Sequence, residues 1–351
     1  MDSTPDEKDT EEQNNIFVLP DGPLVRILSE LSWKDILNIK LVSRSFYNFI
    51  HENYHQLNRR KITEVYVKYE ENCKSFPFQV TLTFNEYSYE RYWSLYVLSS
   101  DHIKTINIQN GEKLSYFFKM FDMTKLKKLI VPVVNNIDIF DILSRSFQTR
   151  TAIDILDVSK VAEKDFRSFQ TFIEKCSSFR SICIKHLCAP STEHEEIYSF
   201  LYWLSLKTTR NFEIIECPIT KVFAADNVTK LLRENLSLKS LKIGSSNIEF
   251  IESISKEFFM MEQPRKINCK KDNIIYIHIT YCGKKFKHLC DILRKDYGEF
   301  KNFENIYCFL NFPYFARLES RSYCKYCVDD KHRITRILFI RNLLSGQKFG
   351  H

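Results

Sequence analysis

The stretch from residue 19 to residue 50, LPDGPLVRILSELSWKDILNIKLVSRSFYNFI, has the most regular pattern of apolar residues in the chain. Apolar side chains recur there every three or four positions, the spacing that places them on one face of an α-helix. They fall into three groups, so the stretch predicts three short helices. The groups are Leu24, Ile27, Leu28 and Leu31, then Ile36, Leu37, Ile39 and Leu41, then Phe46, Phe49 and Ile50.

Polar residues ahead of each group are suited to begin these helices. Asp21 can accept hydrogen bonds from the first free amides, and Pro23 would lie in the first turn, where its missing N–H costs nothing. Ser32 and Asp35 have the spacing of a capping box, and Ser43 is suited to begin the third helix. A unit of about 35 residues is too small to bury its own core fully, so its remaining apolar surface should be covered by the rest of the chain or by a partner.

The composition of the 351-residue chain is that of a globular protein, with 44% hydrophobic and 27% charged residues. Residues 1–15, MDSTPDEKDTEEQNN, are acidic and without periodicity, which indicates a disordered tail. Six acids and one lysine in this tail contribute −5 to the net charge of +7, so the rest of the chain carries +12. Its lysines and arginines are scattered, which favours a solvated surface and makes nucleic-acid binding an unfavoured hypothesis.

The sequence contains neither a recognisable secretory signal nor an apolar stretch of the about 18 residues needed to cross a bilayer. The chain is therefore expected in the cytoplasm, the nucleus or both, without a membrane partner. In these reducing compartments its 11 cysteines should remain thiols.

A second pattern begins beyond about residue 75, where strand-like segments alternate with helical ones. Nine segments have the form apolar-x-x-apolar-x-apolar; they begin at residues 103, 126, 153, 179, 212, 238, 274, 303 and 334. Strand followed by helix, repeated without hairpin signals, is typical of a parallel solenoid, and the spacing resembles long, degenerate leucine-rich repeats. A non-repetitive α/β domain with an ordinary parallel sheet would contain the same segments, and this alternative stays open.

Motifs for catalysis and for cofactors are missing from the sequence. It has no nucleophile elbow, P-loop, dinucleotide fingerprint or HExxH zinc motif, and its seven glycines are too few to favour phosphate-binding loops. The best metal candidate is Cys324-x2-Cys327 with His332, but a tetrahedral zinc site needs a second close pair of ligands. We therefore expect no enzyme, no catalytic residues, no metal site and no cofactor.

The residues from Leu19 to Phe46 resemble the F-box. The family pattern begins with Leu-Pro, as Leu19 and Pro20 do here, and continues with an apolar first helix and an Asp that opens the second, here Asp35. It ends in Val-Ser-Arg followed by an aromatic residue, as in residues 42–46. Residues 22–23, Gly-Pro, depart from the usual Glu-Leu, and Phe46 stands where Trp is frequent.

The resemblance implies a partner surface. F-box domains bind a Skp-type adaptor, which connects them to a cullin scaffold, a RING subunit and a ubiquitin-conjugating enzyme. The implied adaptor-binding residues are Leu19, Pro20, Leu24, Ile27, Leu28, Leu31, Ile36, Leu37, Leu41, Val42 and Phe46.

Many F-box proteins carry leucine-rich repeats after the box. The expected fold is thus an N-terminal all-α F-box of three short helices followed by an α/β leucine-rich-repeat-like solenoid. The predicted divisions are a disordered acidic tail at 1–15, an F-box domain at 16–56, a linker at 57–75 and a substrate-binding domain at 76–351.

The resulting hypothesis is a non-catalytic substrate-recognition subunit of an SCF-type ubiquitin ligase, which would hold an unidentified protein substrate for ubiquitination and degradation. Exposed strand positions would contact the substrate, and their charge favours an acidic or phosphorylated target. The candidates are Lys104, Thr105, Asn107, Lys239, Ser240 and Lys242. Two alternatives are an F-box scaffold outside a ligase and a basic nucleic-acid-binding solenoid.

Overall fold

The computed structural model describes residues 16, 19–84, 103–132, 137–190, 194–217, 221–235, 238, 240–261, 273–299, 306–311, 314–324, 326 and 333–343. Their contacts divide the chain into two compact units. The smaller is Met1–Arg60 with Lys119–Asp122, and the larger is Lys61–Phe118 with Met123–His351.

The helices are α1 (Asp21–Ser29), α2 (Trp33–Lys40), α3 (Arg44–Asn53), α4 (Gly111–Lys119), α5 (Ile139–Ser146), α6 (Phe166–Lys175), α7 (His194–Leu206), α8 (Ala225–Glu234), α9 (Ile248–Met260) and α10 (Phe286–Glu299). Short 3₁₀ helices occur at Tyr54–Gln56 and Glu163–Asp165. The strands are β1 (Arg60–Tyr69), β2 (Phe78–Phe84), β3 (Ile103–Ile108), β4 (Phe121–Asp122), β5 (Lys125–Val131), β6 (Thr151–Val158), β7 (Val161–Ala162), β8 (Cys176–Cys188), β9 (Thr208–Glu216), β10 (Ser240–Ser245), β11 (Asn273–Tyr281), β12 (Ile306–Asn311), β13 (Phe315–Tyr323) and β14 (Arg333–Asn342).

The smaller unit contains α1, α2 and α3 around a core of its own. Its buried apolar residues are Leu24, Val25, Leu28, Ile36, Phe49, Ile50 and Leu57. The Asn58 side-chain amide donates to the carbonyls of Ser29 and Leu31, at 2.7 and 2.9 Å, and so satisfies acceptors at the end of α1. These hydrogen bonds join the segment after α3 to α1 and close the unit.

Two of the three predicted helix caps are confirmed. The Ser32 hydroxyl accepts a hydrogen bond from the Asp35 amide at 3.3 Å and donates to the Asp35 carboxylate at 2.6 Å. The Ser43 hydroxyl accepts from the Phe46 amide at 3.2 Å. The prediction that Asp21 caps α1 is wrong, because that helix begins at Asp21 and has no side-chain cap.

The larger unit is built on one mixed sheet with the strand order β12-β13-β14-β11-β10-β9-β8-β6-β5-β1-β2-β3. The strands from β14 to β1 along this order are parallel. At one end β2 pairs antiparallel with β1 and β3 pairs antiparallel with β2. At the other end β13 pairs antiparallel with β14 and β12 pairs antiparallel with β13. Helices connect most of the parallel strands.

This architecture corrects the predicted fold class. The expectation of an all-α F-box followed by an α/β leucine-rich-repeat-like solenoid is wrong, because the chain is an α/β fold with a large mixed sheet. Two of the nine predicted strand segments, in β3 and β12, lie at opposite ends of the sheet and pair antiparallel with β2 and β13. The apolar pattern marks a strand but does not specify the direction of its neighbours. The α/β alternative agrees in class, although the sheet is mixed.

The two faces of the sheet differ in burial. Alternate residues of each strand are buried on one face, as Ile182, Phe212 and Leu241 are in neighbouring strands. Amphipathic helices, among them α6, α7 and α9, contact the strands. The residues between the buried ones are half-buried or exposed and define what we call the open face. Its side chains include polar, charged, aromatic and aliphatic groups, so this face is one surface of the larger unit that is available to a partner.

Candidate functional site

Burial divides the eleven predicted adaptor-binding residues into two classes. Leu24, Leu28 and Ile36 belong to the helical core, with at most 3% of each residue exposed, and Leu31 and Phe46 are half-buried. The remaining six, Leu19, Pro20, Ile27, Leu37, Leu41 and Val42, are exposed. Leu24, Leu28 and Ile36 therefore hold the unit together, whereas the exposed residues are accessible to a partner. Their role in adaptor binding stays a prediction.

Several exposed residues of the helical unit are large and apolar. We call Leu19, Ile27, Leu37, Leu41, Val42 and Tyr47 the exposed apolar set. The highest exposures are 84% for Leu41 and 71% for Val42. Large apolar side chains this accessible mark a protein–protein contact when several occur in one small unit.

The turn that presents Leu41 and Val42 is held by the backbone. The Leu41 and Val42 amides donate to the carbonyls of Asn38 and Ile39, each at 3.0 Å, and close the last turn of α2. Leu37 lies four residues before Leu41, which places both side chains on one side of the helix. The end of α2 and the Ser43 cap of α3 therefore fix the backbone on both sides of Leu41 and Val42, and the turn between them keeps these two side chains exposed.

Tyr47 was not among the predicted residues, although it follows Phe46 in α3. The Lys40 ammonium lies 4.6 Å from the centroid of the Tyr47 ring and 5.2 Å from that of Tyr54. Burial lowers the pKa of Lys40. Stacking of an ammonium on two rings fixes the end of α2 against α3. Helical spacing alone gives no signal for this cation–π contact.

A row of polar side chains crosses the middle of the open face. Strand register aligns Asp157, Cys183, Glu213, Lys242 and His278 on consecutive parallel strands. The Lys242 ammonium lies 3.3 Å from the Glu213 carboxylate, and the Lys185 ammonium, two residues beyond Cys183 on β8, lies 3.0 Å from the Asp157 carboxylate. The charges of the row are therefore paired within the sheet. The surface of this row is consequently less basic than the Lys242 charge alone would make it.

Two titratable groups of this row have shifted pKa values. Burial, together with the nearby Glu213 and Asp157 carboxylates, raises the pKa of the Cys183 thiol to about 12. A thiol in that state is a weak nucleophile at neutral pH. Burial, followed by the Lys242 charge, lowers the pKa of His278. Both shifts favour the uncharged side chain.

The structure does not bring the predicted substrate-binding residues together. Lys104, Thr105 and Asn107 lie on β3, Ser240 and Lys242 lie on β10, and Lys239 lies outside the described residues. Seven strand-to-strand steps separate β3 from β10, roughly 34 Å at a spacing of about 4.8 Å per step. The two groups therefore cannot form one compact site, and each stays a separate prediction.

An aromatic depression lies at the end of the open face where β12, β13 and β14 meet. It is lined by Phe309, Phe315, Arg317, Glu319 and Phe339 and has a volume of about 420 Å³. The sequence did not predict this depression, because β13 does not match the pattern apolar-x-x-apolar-x-apolar. The strict alternation of FARLESRSY in β13, with charged residues two apart, was the available signal.

A buried carboxylate lies at the end of β9. Glu216 is 2% exposed; it accepts a hydrogen bond from the Phe223 amide at 3.2 Å and another from the Ser245 hydroxyl. Burial raises its pKa, and the hydrogen bonds oppose this effect in part. The Ser245 hydroxyl also accepts from the Asn247 amide, at 3.0 Å, next to the start of α9. Glu216 therefore organises the segments that follow β9 and β10.

The predicted metal candidate is only partly within the described residues. Cys324 is buried, whereas Cys327 and His332 lie outside them. Among the residues that the structure describes, no group of three His, Cys, Asp or Glu side chains could hold a metal ion. No helix in the same part of the chain is long and apolar enough to cross a membrane.

No protein-family model matches the chain, and no curated protein and no solved structure is similar to it.

Proposed function

We propose that this chain is a substrate-recognition subunit of an SCF-type ubiquitin ligase. In this proposal the helical unit binds a Skp-type adaptor through the exposed apolar set, and the larger unit binds the substrate. One observation carries the proposal. Leu41 and Val42, at positions that the F-box resemblance assigns to the adaptor interface, are the most exposed large apolar residues of the helical unit.

Burial of these side chains is the physical basis of the proposed contact. Removing apolar surface from water contributes about 25 cal/mol per Å², and exposed leucine and valine side chains provide that surface. A unit with so small a buried core among its described residues also gains stability when a partner covers its remaining apolar side chains. Adaptor binding and stability of the helical unit should therefore be thermodynamically coupled.

The proposed subunit needs no catalytic group. By holding a substrate close to the charged conjugating enzyme it would raise the effective concentration of the substrate lysines. The poorly reactive thiol and internally paired charges of the central row are compatible with such a binding role.

Adaptor binding tests the proposal. Val42→Asp and Leu41→Asp should each weaken binding of a purified Skp-type adaptor at least about 30-fold in calorimetry, because they place a charge in the apolar contact. Leu206→Asp is the matched control, since Leu206 is 54% exposed and lies at the end of α7 in the larger unit. Wild-type affinity in both helical-unit variants, or no adaptor binding by the wild type, would refute the proposal.

The sites of these substitutions matter for interpretation. Leu28 has a 3% exposed fraction, so a charge there would disrupt the core and abolish binding indirectly. Leu41 and Val42 have few core contacts to lose. Far-UV circular dichroism should be unchanged in their variants, which separates loss of contact from loss of fold.

A further inference from the structure

The aromatic depression combines an apolar floor with a cation in one row of the open face. Strand register places Arg317 opposite Phe309 on one side and opposite Phe339 on the other. The Phe315 ring centroid is 5.9 Å from that of Phe309 and 5.1 Å from that of Phe339. The three rings thus form a connected apolar surface beside a guanidinium group.

The depression is accessible and has the size of a binding site. Phe309 is 59% exposed, whereas Phe315 and Phe339 are half-buried. The volume of about 420 Å³ is near the lower end of the range of about 300–1,000 Å³ for ligand pockets. A large apolar side chain seated there would cover the phenyl rings. The floor therefore fits a single bulky anchor residue.

The charges around the floor favour a negatively charged ligand. The Glu319 carboxylate accepts hydrogen bonds from Arg317, at 2.7 Å, and from Arg321, at 3.0 Å, so one negative charge faces two positive ones. The two arginine side chains are 48% and 52% exposed, but that of Glu319 only 12%. The guanidinium groups therefore face solvent and the carboxylate lies beneath them.

We propose that the aromatic depression binds a protein segment in which one large apolar side chain is flanked by aspartate or glutamate residues. The apolar side chain lies on the three phenyl rings, and the flanking carboxylates pair with Arg317 and Arg321. The inference rests on the proposed function in one respect, namely that the segment belongs to the ligase substrate. A nucleic-acid strand is disfavoured, because the lysines and arginines of the chain are scattered along the sequence and form no basic cluster.

Defined peptides test this inference without an adaptor. The intact chain is titrated into fluorescein-labelled Asp-Glu-Asp-X-Asp-Glu-Asp, where X is Phe, Leu or Trp, and fluorescence anisotropy is measured. At least one of these three probes should bind saturably. The same peptide with X as Ala, and a peptide with Lys in place of every acid, should each bind about ten-fold more weakly or not at all.

Two variants and two matched controls connect binding to the depression. Phe309→Ala and Arg317→Ala should each weaken peptide binding about ten-fold, because they remove part of the floor and one cation. Phe76→Ala and Arg180→Ala change exposed residues outside the lining and should leave binding unchanged.

Three results would overturn the inference: no saturable binding by any of the three probes, equal binding by wild type and both lining variants, or tighter binding of a ten-nucleotide oligouridine that competes with the peptide. Because the assay contains no adaptor, its failure leaves the adaptor proposal intact. Conversely, peptide binding by a chain that binds no adaptor would refute only the proposed ligase function.

Discussion

Replacing Gly244 by alanine should destabilise the larger unit, although alanine normally suits a strand better than glycine. A Cβ atom at residue 244 would lie 2.6 Å from Cγ2, 2.7 Å from Cγ1 and 2.9 Å from Cβ of Ile215 on the neighbouring strand. The Ile215 Cβ atom is fixed by the backbone, so a rotamer change cannot relieve all three contacts. Overpacking of this kind costs about 1–3 kcal/mol, and the lower unfolded-state entropy of alanine offsets about 0.4–1 kcal/mol. We expect a net loss of about 1–2 kcal/mol.

Urea denaturation measures this loss of stability. Because the chain has two units, hydrogen exchange of the β10 amides is needed to assign the loss to the larger unit. Gly111→Ala is the matched control in the same unit. Its new Cβ would lie 2.7 Å from Cδ1 of Ile142, the mobile end of a side chain, so a loss below about 1 kcal/mol is expected. The double variant Gly244→Ala with Ile215→Ala should lose less stability than the two single variants together, by a coupling energy of about 0.5–3 kcal/mol, because the smaller side chain at residue 215 makes room for the new Cβ. Equal stability of wild type and Gly244→Ala would refute the packing argument.

Two further predictions concern burial. Leu28→Ala should lower the free energy of unfolding by about 2–5 kcal/mol and increase hydrogen exchange across α1 to α3. Val42→Ala, at an exposed residue, should change it by less than about 0.5 kcal/mol. Equal effects of the two substitutions would contradict the division into core and exposed residues. Burial raises the pKa of Glu216, so the folded state binds the carboxyl proton more tightly than the unfolded state does. Proton binding therefore stabilises the fold below the unfolded pKa of about 4.3, and this stabilisation is lost as the pH rises through the folded pKa. Relative to Glu216→Gln, the wild type should therefore lose stability in urea denaturation as the pH rises above about 4.3; a constant difference would show that burial does not raise the pKa of Glu216.

The strands that sequence analysis identified and those that it missed differ in periodicity. The template apolar-x-x-apolar-x-apolar matches strands such as β6 and β8, which lie between two parallel neighbours. The antiparallel strand β2 alternates strictly between buried and more accessible residues, and β13 does so from Phe315 to Ser320. This period of two is usual for antiparallel strands with one accessible face. A search for one repeat therefore found segments that fit a solenoid and overlooked the strands that make the sheet mixed.

Local and long-range interactions account for the rest of the difference. The Ser32 and Ser43 caps involve residues three positions apart, so the sequence contains nearly all the information needed to predict them. Ile27 and Leu28 are both apolar and adjacent in α1, yet Ile27 is exposed and Leu28 is buried. This difference depends on how the three helices cross, which the local sequence does not contain. The aromatic depression joins β12, β13 and β14, and its position depends on strand register. Its residues could be identified individually, but their proximity could not.

The two proposed surfaces have different physical origins, and this bears on how mutations should affect them. The exposed apolar set lies in a unit with its own core, so partner binding there depends on apolar area and on the stability of three helices. The aromatic depression is supported by strand pairing in the larger unit and adds directional arginine–carboxylate contacts. Salt should therefore weaken peptide binding more than adaptor binding, since screening acts on exposed charges and leaves apolar burial largely intact. This difference follows from the chemistry of the two surfaces and requires no communication between the two units.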